Sequence, residues 1–468
     1  MRKRRVLIYG AGEAGRMVCA ELLRRDRDWS VAGFVDDDPG KQGRIFEGVP
    51  VIGTGADAPG IIRENSIERL IIALPSVHTP VINRTAESII REFPDISLQI
   101  LPSVSRYFSS PIIPELEEGR YTELIDREET SFDYGLLSGF YSGKTVIVTG
   151  AGGSIGSQLC RTLLRLKIGR LVCIGRGENS LYMLREKTGE ISADCMVEFE
   201  IADIKSRPSL ERIFSNYPGA LLLHAAAHKH VPFMESNIHE AVYNNVLGTV
   251  NVLEAARRAS FSRTVFVSTD KAVNPSSVMG MTKRVCERIT ASYSSGSMLC
   301  TSVRFGNVLG SRGSVIPLFA RQIEAGGPVT VTHPGIRRYF MTIPEAAMLV
   351  LNAALYSRGG DICLLEMGKM YQIDGIARRM IELSGHVPDK EIAVSYTGLR
   401  PGEKLYEELS YPFETLESTD HPRIKRISAP DIRLTPDETL TLHSLTDSLF
   451  TLPDDRLRSL LADLITVS

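Results

Sequence analysis

The chain has 468 residues, with 54 Lys plus Arg against 56 Asp plus Glu and a formal net charge of −2. Such a length predicts two or three domains with sizeable cores, and the balance of charge excludes a global field favouring nucleic acid. The seven Cys are scattered without C-x-x-C pairs, which argues against a disulfide framework and a zinc site and fits a reducing cytoplasm. No apolar run reaches the roughly 18 to 20 residues needed to span a bilayer. The richest, Ala346 to Tyr356, is short and contains Asn352. Arg2-Lys3-Arg4-Arg5 has the look of a signal-peptide basic region, but the apolar stretch behind it stops at Gly10. It reads as a solvated basic terminus before a strand, with room for a weak contact at an anionic membrane surface.

Val6-Leu-Ile-Tyr-Gly-Ala-Gly-Glu-Ala-Gly is a strand followed by Gly10-x-Gly12-x-x-Gly15 and a helical pattern. Glycines there permit a tight turn and a phosphate close to a helix amino terminus. A second strand, Ser30 to Val35, ends in Asp36-Asp37-Asp38, where an acidic residue can bind a ribose hydroxyl. A later strand spans Glu68 to Pro75, a helix lies near Val81 to Phe93, and Leu98-Gln-Ile-Leu-Pro forms another strand. Residues 1–110 are therefore a Rossmann-like nucleotide-binding domain, either with an occupied site or as a scaffold. Between 111 and 143 the pattern weakens into a linker with an acidic cluster at Glu115 to Glu118.

The second fingerprint is fuller. Lys144-Thr-Val-Ile-Val-Thr leads into Gly150-x-x-Gly153-x-x-Gly156 and a helix to about Lys167. Strand, turn and helix in that order suit the pyrophosphate of a dinucleotide. The next strand ends at Gly175-Arg176. An acidic residue usually takes the adenosine ribose of NAD there. Gly175 has no carboxylate, and the planar Arg176 cation suits a 2′-phosphate. NADP is thus an expected cofactor alongside NAD, unless Arg176 only stacks on adenine or faces solvent. Asp203, after the strand Val197 to Ile201, is placed to meet the adenine edge. Ala225, Ala226 and Ala227 let a flat ligand lie against the backbone. His224, His228 and His230 lack a neighbouring carboxylate ligand, so no metal is expected. Asn245, on the following helix, reads as an anchor for site backbone or a water.

The chemistry concentrates at Ser268-Thr-Asp-Lys-Ala-Val-Asn-Pro, behind the strand Arg263-Thr-Val-Phe-Val. Polar groups at the carboxyl end of a strand lie where open α/β sheets bind ligands. Met279 and Lys283 are four apart and share a helix face. A strand Ser followed by Tyr-x-x-x-Lys is the catalytic pattern of short-chain dehydrogenases. Met279 holds the Tyr position and has no exchangeable proton. Thr269, Asp270 and Lys271 offer a hydroxyl, a carboxylate and an amine instead. Further on, Asn307 and the loop Gly310 to Ser314 supply donors. Arg321, Arg337, Arg338, Arg400 and Lys404 are cations suited to a diphosphate. The catalytic domain runs from 144 to 410. A helical segment, 411–468, closes the chain, with Thr435 to Val467 amphipathic and structural.

Several segments carry a resemblance: Thr149-Gly-Ala-Gly-Gly-Ser-Ile-Gly, His224-Ala-Ala-Ala-His-Lys-His-Val-Pro, Asn244-Asn-Val-Leu-Gly-Thr, Ser268-Thr-Asp-Lys-Ala-Val-Asn-Pro, Val278-Met-Gly-Met-Thr-Lys, Val303-Arg-Phe-Gly-Asn-Val-Leu-Gly-Ser-Arg-Gly-Ser and Leu399-Arg-Pro-Gly-Glu-Lys-Leu-Tyr-Glu-Glu-Leu. Together they resemble the large UDP-N-acetylglucosamine 4,6-dehydratases of bacterial polysaccharide and protein-glycan biosynthesis, which are extended short-chain dehydrogenases. Many members carry transmembrane helices ahead of the first Rossmann unit; this chain begins at that unit and resembles a soluble form. Gly175 departs from the usual acidic residue, and Gln158 stands where Glu is common.

The resemblance implies two Rossmann-like, doubly wound parallel sheets and a cytoplasmic enzyme that recycles tightly bound NADP or NAD. Cofactor contacts fall to Gly150, Gly153, Ser154, Ile155, Gly156, Arg176, Asp203, Ile204, Ala225, Ala226 and Lys283. A UDP-sugar would meet His228, Lys229, Asn307, Ser314, Val315, Arg321, Arg338, Arg400 and Glu403. After oxidation at sugar C4, Lys271 would take the C5 proton and Asp270 would protonate O6. Thr269 would relay the 4-hydroxyl proton, since Met279 cannot. An amine base must be partly neutral, so burial or nearby cations should lower the pKa of Lys271. The alternatives are a nucleotide-sugar epimerase or reductase on the same fold, or a non-catalytic nucleotide sensor. A homo-oligomer is the default expectation.

Overall fold

Apolar runs in the first hundred residues build a mostly parallel sheet whose central strands, Arg4–Tyr9 and Arg69–Ile72, are largely buried. In this computed structural model the residues described are 4–25, 29–74, 88–89, 91–94, 96–100, 132–189, 195–384, 386–428 and 432–466. They divide into two compact units. The first comprises Met1–Pro114, Ala320–Pro328 and Met380–Ala393; the second comprises the remainder. The two short segments of the first unit lie within what the sequence reads as the catalytic domain. Grouping follows space, and no local pattern announces it.

The first unit holds strands β1 (Arg4–Tyr9), β2 (Trp29–Val35), β3 (Ile45–Phe46), β4 (Val49–Gly53), β5 (Arg69–Ile72) and β6 (Ser97–Ile100). Their order is β3-β4-β2-β1-β5-β6, with all neighbours parallel except β3 and β4. The glycine loop after β1 leads into the helix Glu13–Arg25. Asp36, the first of the three acids that the sequence offers for a ribose hydroxyl, turns onto this loop. Its Oδ2 accepts the Ala11 amide at 2.7 Å and the Lys41 ammonium at 3.1 Å. Burial raises the Asp36 pKa, but the amides of Asp38 and Ala11 together with Lys41 outweigh it and hold the carboxyl below its usual range. The expected helix near Val81 to Phe93 lies largely outside the described residues, as does the expected linker up to Thr130 and Ser131.

The second unit is a nine-stranded sheet. Its parallel strands are β7 (Thr145–Thr149), β8 (Arg170–Gly175), β9 (Met196–Ile201), β10 (Leu221–His224), β11 (Arg263–Val267), β12 (Leu299–Arg304) and β16 (Ile362–Leu365). The strands numbered between them, β13 (Asn307–Val308), β14 (Val329–Val331) and β15 (Arg337–Met341), stand in small separate sheets with β17 (Met370–Gln372) and β18 (Val394–Tyr396). Two antiparallel strands, β19 (Thr415–Ser418) and β20 (Ile424–Ser428), complete the order β19-β20-β16-β12-β11-β10-β7-β8-β9. The chain leaves β7 in one direction, through β8 and β9, and returns to its other side at β10. The carboxyl ends of β7 and β10 are therefore the topological switch point, where open sheets bind ligands.

Two sequence boundaries change. The end of the expected linker forms the helix Tyr134–Tyr141, capped by Asp133. Its Leu137 and Tyr141 are fully buried, and the Tyr141 hydroxyl donates to the Leu351 carbonyl at 3.0 Å. The segment read as wholly helical from 411 contributes β19 and β20 before its two helices, Pro436–Ser448 and Asp454–Ile465. Leu442, Leu445, Leu457, Leu461 and Leu464 of these helices share one core with Cys286 and Ile289 of the helix Val278–Tyr293. Arg288 of that helix is 1% exposed. It donates to both Glu438 oxygens at 2.6 and 2.8 Å and to the carbonyls of Ile432 and Leu464. Among the described residues no helix is long and apolar enough to cross a membrane.

Candidate active site

The glycine loop after β7 is shaped by contact. Gly150 has φ +67°, and a Cβ there would stand 2.7 Å from the Ala226 amide nitrogen. A Cβ on Gly156 would stand 2.2 Å from the Gly150 carbonyl oxygen. These positions accept only glycine, because bare backbone must pass there. The helix Ser154–Leu164 starts directly behind the loop, with its free amides facing a cleft.

That cleft, about 380 Å³, is lined by Gly150, Gly153, Arg176, Asp203, Ile204, Ala225 and Ala226 among others. A second cleft, about 680 Å³, is lined by Ser154, Ile155, Gly156, Thr269, Lys271, Met279, Lys283, His228, Lys229, Asn307, Ser314 and Val315 among others. Both walls contain Gly153, Ala225, Ala227, His228 and Arg312, so the two spaces adjoin. Every residue expected to hold the cofactor falls on one or the other. Four cations, Lys229, Lys271, Lys283 and Arg312, line the larger cleft, and none of its lining residues is acidic.

The floor of that cleft is the turn after β11. Thr269 caps the short 3-10 turn Asp270–Ala272. Its hydroxyl donates to Asp270 Oδ1 at 2.9 Å, and Lys271 Nζ donates to the same oxygen at 3.0 Å and to Asn307 Oδ1 at 3.1 Å. Asp270 is 0% exposed, and its Oδ2 has no hydrogen-bond partner. Its carboxylate is thus sealed behind the wall that Thr269 and Lys271 present. Asp270, expected as the acid at O6, has no face of its own on the cleft. The expected lowering of the Lys271 pKa is corrected. Burial lowers its pKa, but the charges of Asp270 and Glu407 outweigh burial and hold it above the usual lysine value. Lys271 rests as an ammonium.

Ser277 caps the helix Val278–Tyr293, which sets Met279 and Lys283 on the cleft face. Lys283 Nζ donates to the Val267 carbonyl at 2.7 Å. Burial pushes its pKa down to about 8. Ser268, in the strand-serine position, turns inward instead, and its hydroxyl donates to Glu287 Oε1 at 2.7 Å. Asn245 holds the His228 backbone from both sides, accepting its amide at 2.8 Å and donating to its carbonyl at 3.0 Å. His224 bonds Thr149 and Thr249 through its two ring nitrogens. Burial, aided by Lys283, lowers its pKa to about 3, so it is neutral.

None of the five expected diphosphate cations, Arg321, Arg337, Arg338, Arg400 and Lys404, is in the cleft wall. Arg338 is buried, and it donates to the carbonyls of Lys404 and Leu405 while facing Glu403 at 3.5 Å and Glu407 at 3.7 Å. It braces the turn at 400–407 rather than facing a ligand. Glu403 takes part in the same brace and accepts the Arg400 amide at 3.1 Å. The Arg400 and Arg321 side chains are exposed, and neither lines the cleft.

Residues 146–429, more than half of the chain, match the family described as polysaccharide biosynthesis protein. The chain belongs to that family. Residues 1–98 match a CoA-binding domain. The polysaccharide biosynthesis relatives include capsular polysaccharide biosynthesis protein CapD of Staphylococcus aureus, 42% identical over 87% of this chain and 68% of that protein. Probable polysaccharide biosynthesis protein EpsC of Bacillus subtilis is 40% identical over 90% of this chain and 70% of its own length. Among solved structures, Pen from Bacillus thuringiensis is 33% identical with a TM-score of 0.57, covering 63% of this chain and 92% of Pen. As a member of the polysaccharide biosynthesis family, the chain carries the Rossmann-like fold of extended short-chain dehydrogenases and is a nucleotide-sugar enzyme of the dehydratase and epimerase class.

Sequence reading missed two residues of this family member's site. Arg312 lines both clefts, and its guanidinium donates to the Gly152 carbonyl of the glycine loop. Its position inside Gly310-Ser-Arg-Gly-Ser was the available signal. Glu407, 4% exposed, stands 3.5 Å from Lys271 Nζ. It was visible only as one of two adjacent Glu in Leu405-Tyr-Glu-Glu-Leu.

Proposed function

We propose that this protein is a UDP-N-acetylglucosamine 4,6-dehydratase using NADP or NAD. The observation that carries the reading is the hydrogen-bonded set Thr269–Asp270–Lys271 on the floor of a cation-lined cleft. A wall of four cations with no carboxylate suits a nucleoside diphosphate. The glycine cradle and the bare alanine strand end fit a dinucleotide beside it. Gly150, Gly153 and Gly156 would admit the pyrophosphate, and Lys283 would hold the nicotinamide ribose. The bound cofactor supplies reversible hydride transfer.

The side chains balance the remaining protons. The 4-hydroxyl proton passes through the Thr269 hydroxyl to the sealed Asp270 carboxylate. Once C4 is a ketone, the C5 proton is acidic, and Lys271 in its neutral form takes it. Asp270 gives its proton back through Thr269 to the departing O6, which leaves as water. Lys271 finally returns its proton to C5, and both residues end as they began. Acid–base groups so placed are each worth about a hundred- to ten-thousand-fold. A simple 4-epimerase needs neither a C5 base nor an O6 acid, so this set favours dehydration.

The test is proton NMR of the protein with UDP-N-acetylglucosamine in heavy water. A new C6 methyl signal with deuterium at C5 supports the reading; cofactor-loaded protein that gives no methyl signal refutes it. Cofactor choice is a separate question. The nearest atom to a Cβ built on Gly175 is a Leu181 methyl at 3.4 Å, so a side chain fits there. Gly175→Asp should place a carboxylate beside the ribose and shift preference toward NAD by about tenfold or more, a single charge-assisted hydrogen bond being worth about 1.5–3 kcal/mol. Competitive loading with the two dinucleotides reads the shift.

A further inference from the structure

Glu407 is not used in the proton cycle, yet it is built into the site. The residue is 4% exposed, and one of its carboxylate oxygens, Oε2, is buried without a hydrogen-bond partner. The other oxygen faces two cations, Lys271 Nζ at 3.5 Å and Arg338 Nε at 3.7 Å. A buried carboxylate with one oxygen unpaired costs stability and survives only where its charge is needed. Arg338 cannot lose its proton in a protein, so it is a fixed charge. Lys271 is the partner that can change state.

Among the described residues, Asp270, Glu407, Arg338 and Lys229 act on the Lys271 amine. Asp270 lies in its own turn at 3.0 Å, and Glu407 comes from the segment after Gly402. Arg338 comes from β15, and Lys229 from the loop after β10. The two carboxylates favour the ammonium and the two cations oppose it. Asp270 must itself change protonation during turnover. Glu407, which also faces Arg338, takes no part in that exchange.

We propose that Glu407 is a positioning residue for Lys271: its buried carboxylate, shared with Arg338, keeps the Lys271 amine protonated and aimed at Asp270 in the resting cleft. The consequence for turnover rests on the reading of Lys271 as the C5 base, but the effect on titration does not. The ammonium of Lys271 would then be the state that greets the substrate, and loss of one proton would begin each productive cycle.

The experiment reads the proton directly. Full-length protein is labelled with isotopic acetic anhydride over a pH series, and mass spectrometry follows acetylation of Lys271, which is 23% exposed through the cleft. The labelling midpoint of Glu407→Gln should fall by about one pH unit or more, roughly a tenfold loss of proton affinity. Glu407→Asp should stay close to the wild-type midpoint. Glu408→Gln removes the neighbouring exposed carboxylate that pairs with Lys404, and should also leave it in place. Arg338→Gln, which removes an opposing cation, should raise it. An unchanged midpoint in Glu407→Gln overturns the proposal, and so does an equal fall in Glu408→Gln. Should Glu407→Gln not fold, Glu407→Met, of similar volume, takes its place with the same expected fall, and an unchanged midpoint overturns the proposal. Dehydration is assayed alongside. A wild-type protein that shows these shifts but forms no 6-deoxy product refutes the dehydratase reading and leaves the role of Glu407 standing.

Discussion

Lys271→Gln is expected to lose dehydration by about a hundred- to ten-thousand-fold, the usual worth of a placed acid–base group. Gln can still donate to Asp270 Oδ1 and occupy the position facing Asn307, so the floor of the cleft keeps its hydrogen bonds. It cannot take a proton from carbon. Asp270→Asn is expected to fail by a similar factor for the complementary reason: it has no proton to return to O6. Both proteins should retain bound dinucleotide, because neither residue belongs to the glycine cradle. Cofactor content by absorbance and the NMR assay in heavy water give the two readouts. Full activity in either variant would end the assignment, and loss of cofactor together with activity would mean that the fold of the site had been damaged.

Arg304→Met is expected to destabilise the second unit by about 3–5 kcal/mol, the cost of leaving a buried charge without its partner. Arg304 is fully buried. Its guanidinium meets Glu287 at 2.7 Å through two nitrogens and Glu414 at 2.8 and 3.0 Å. Arg284 adds a third contact to Glu287 at 3.0 Å. Burial alone would raise the Glu287 pKa, but the guanidiniums win and keep it below the usual glutamate range. Removing Arg304 leaves two buried carboxylates with only Arg284 between them. Urea unfolding measures the loss, and a change below about 1 kcal/mol would show that water reaches the network. Glu287 also accepts the Ser268 hydroxyl, so the same variant should loosen the strand end that precedes Thr269. Activity should then fall further than the folded fraction alone explains.

The sequence made the local chemistry readable and left the long-range chemistry hidden. Gly150, Gly153 and Gly156 follow a strand and open a helix, so their role is written within a dozen residues. Thr269, Asp270 and Lys271 are consecutive, and Met279 and Lys283 are one helical turn apart. Those positions all reach the clefts, apart from Asp270 just behind the wall. Arg338 read as a diphosphate ligand because its carboxylate partners, Glu403 and Glu407, lie more than sixty residues away. A buried Arg and a ligand-binding Arg look alike until the fold shows which acids surround them. The same distance hid Glu407, one of the two carboxylates that keep Lys271 charged; the other, Asp270, is its neighbour in sequence and was read as an acid rather than as a counter-ion. The strands β19 and β20 were absorbed into a helical tail because the clear helical pattern follows them.

Arg288 gives the closing segment a bearing on how the enzyme is made. Its buried guanidinium is satisfied by Glu438, which is 150 residues further along the chain, and by the Leu464 carbonyl, 176 residues along. The helix bearing Arg288 also bears Lys283. A ribosome adding about 5–20 residues per second needs about 8 to 35 s to travel from one partner to the other. Throughout that interval a nascent chain holds Lys283 on a helix whose central arginine has no acid to meet. Packing of that helix is therefore complete only once residues 432–464 have been made, and a chain cut short before residue 432 should lack the carboxylate and carbonyls that satisfy Arg288.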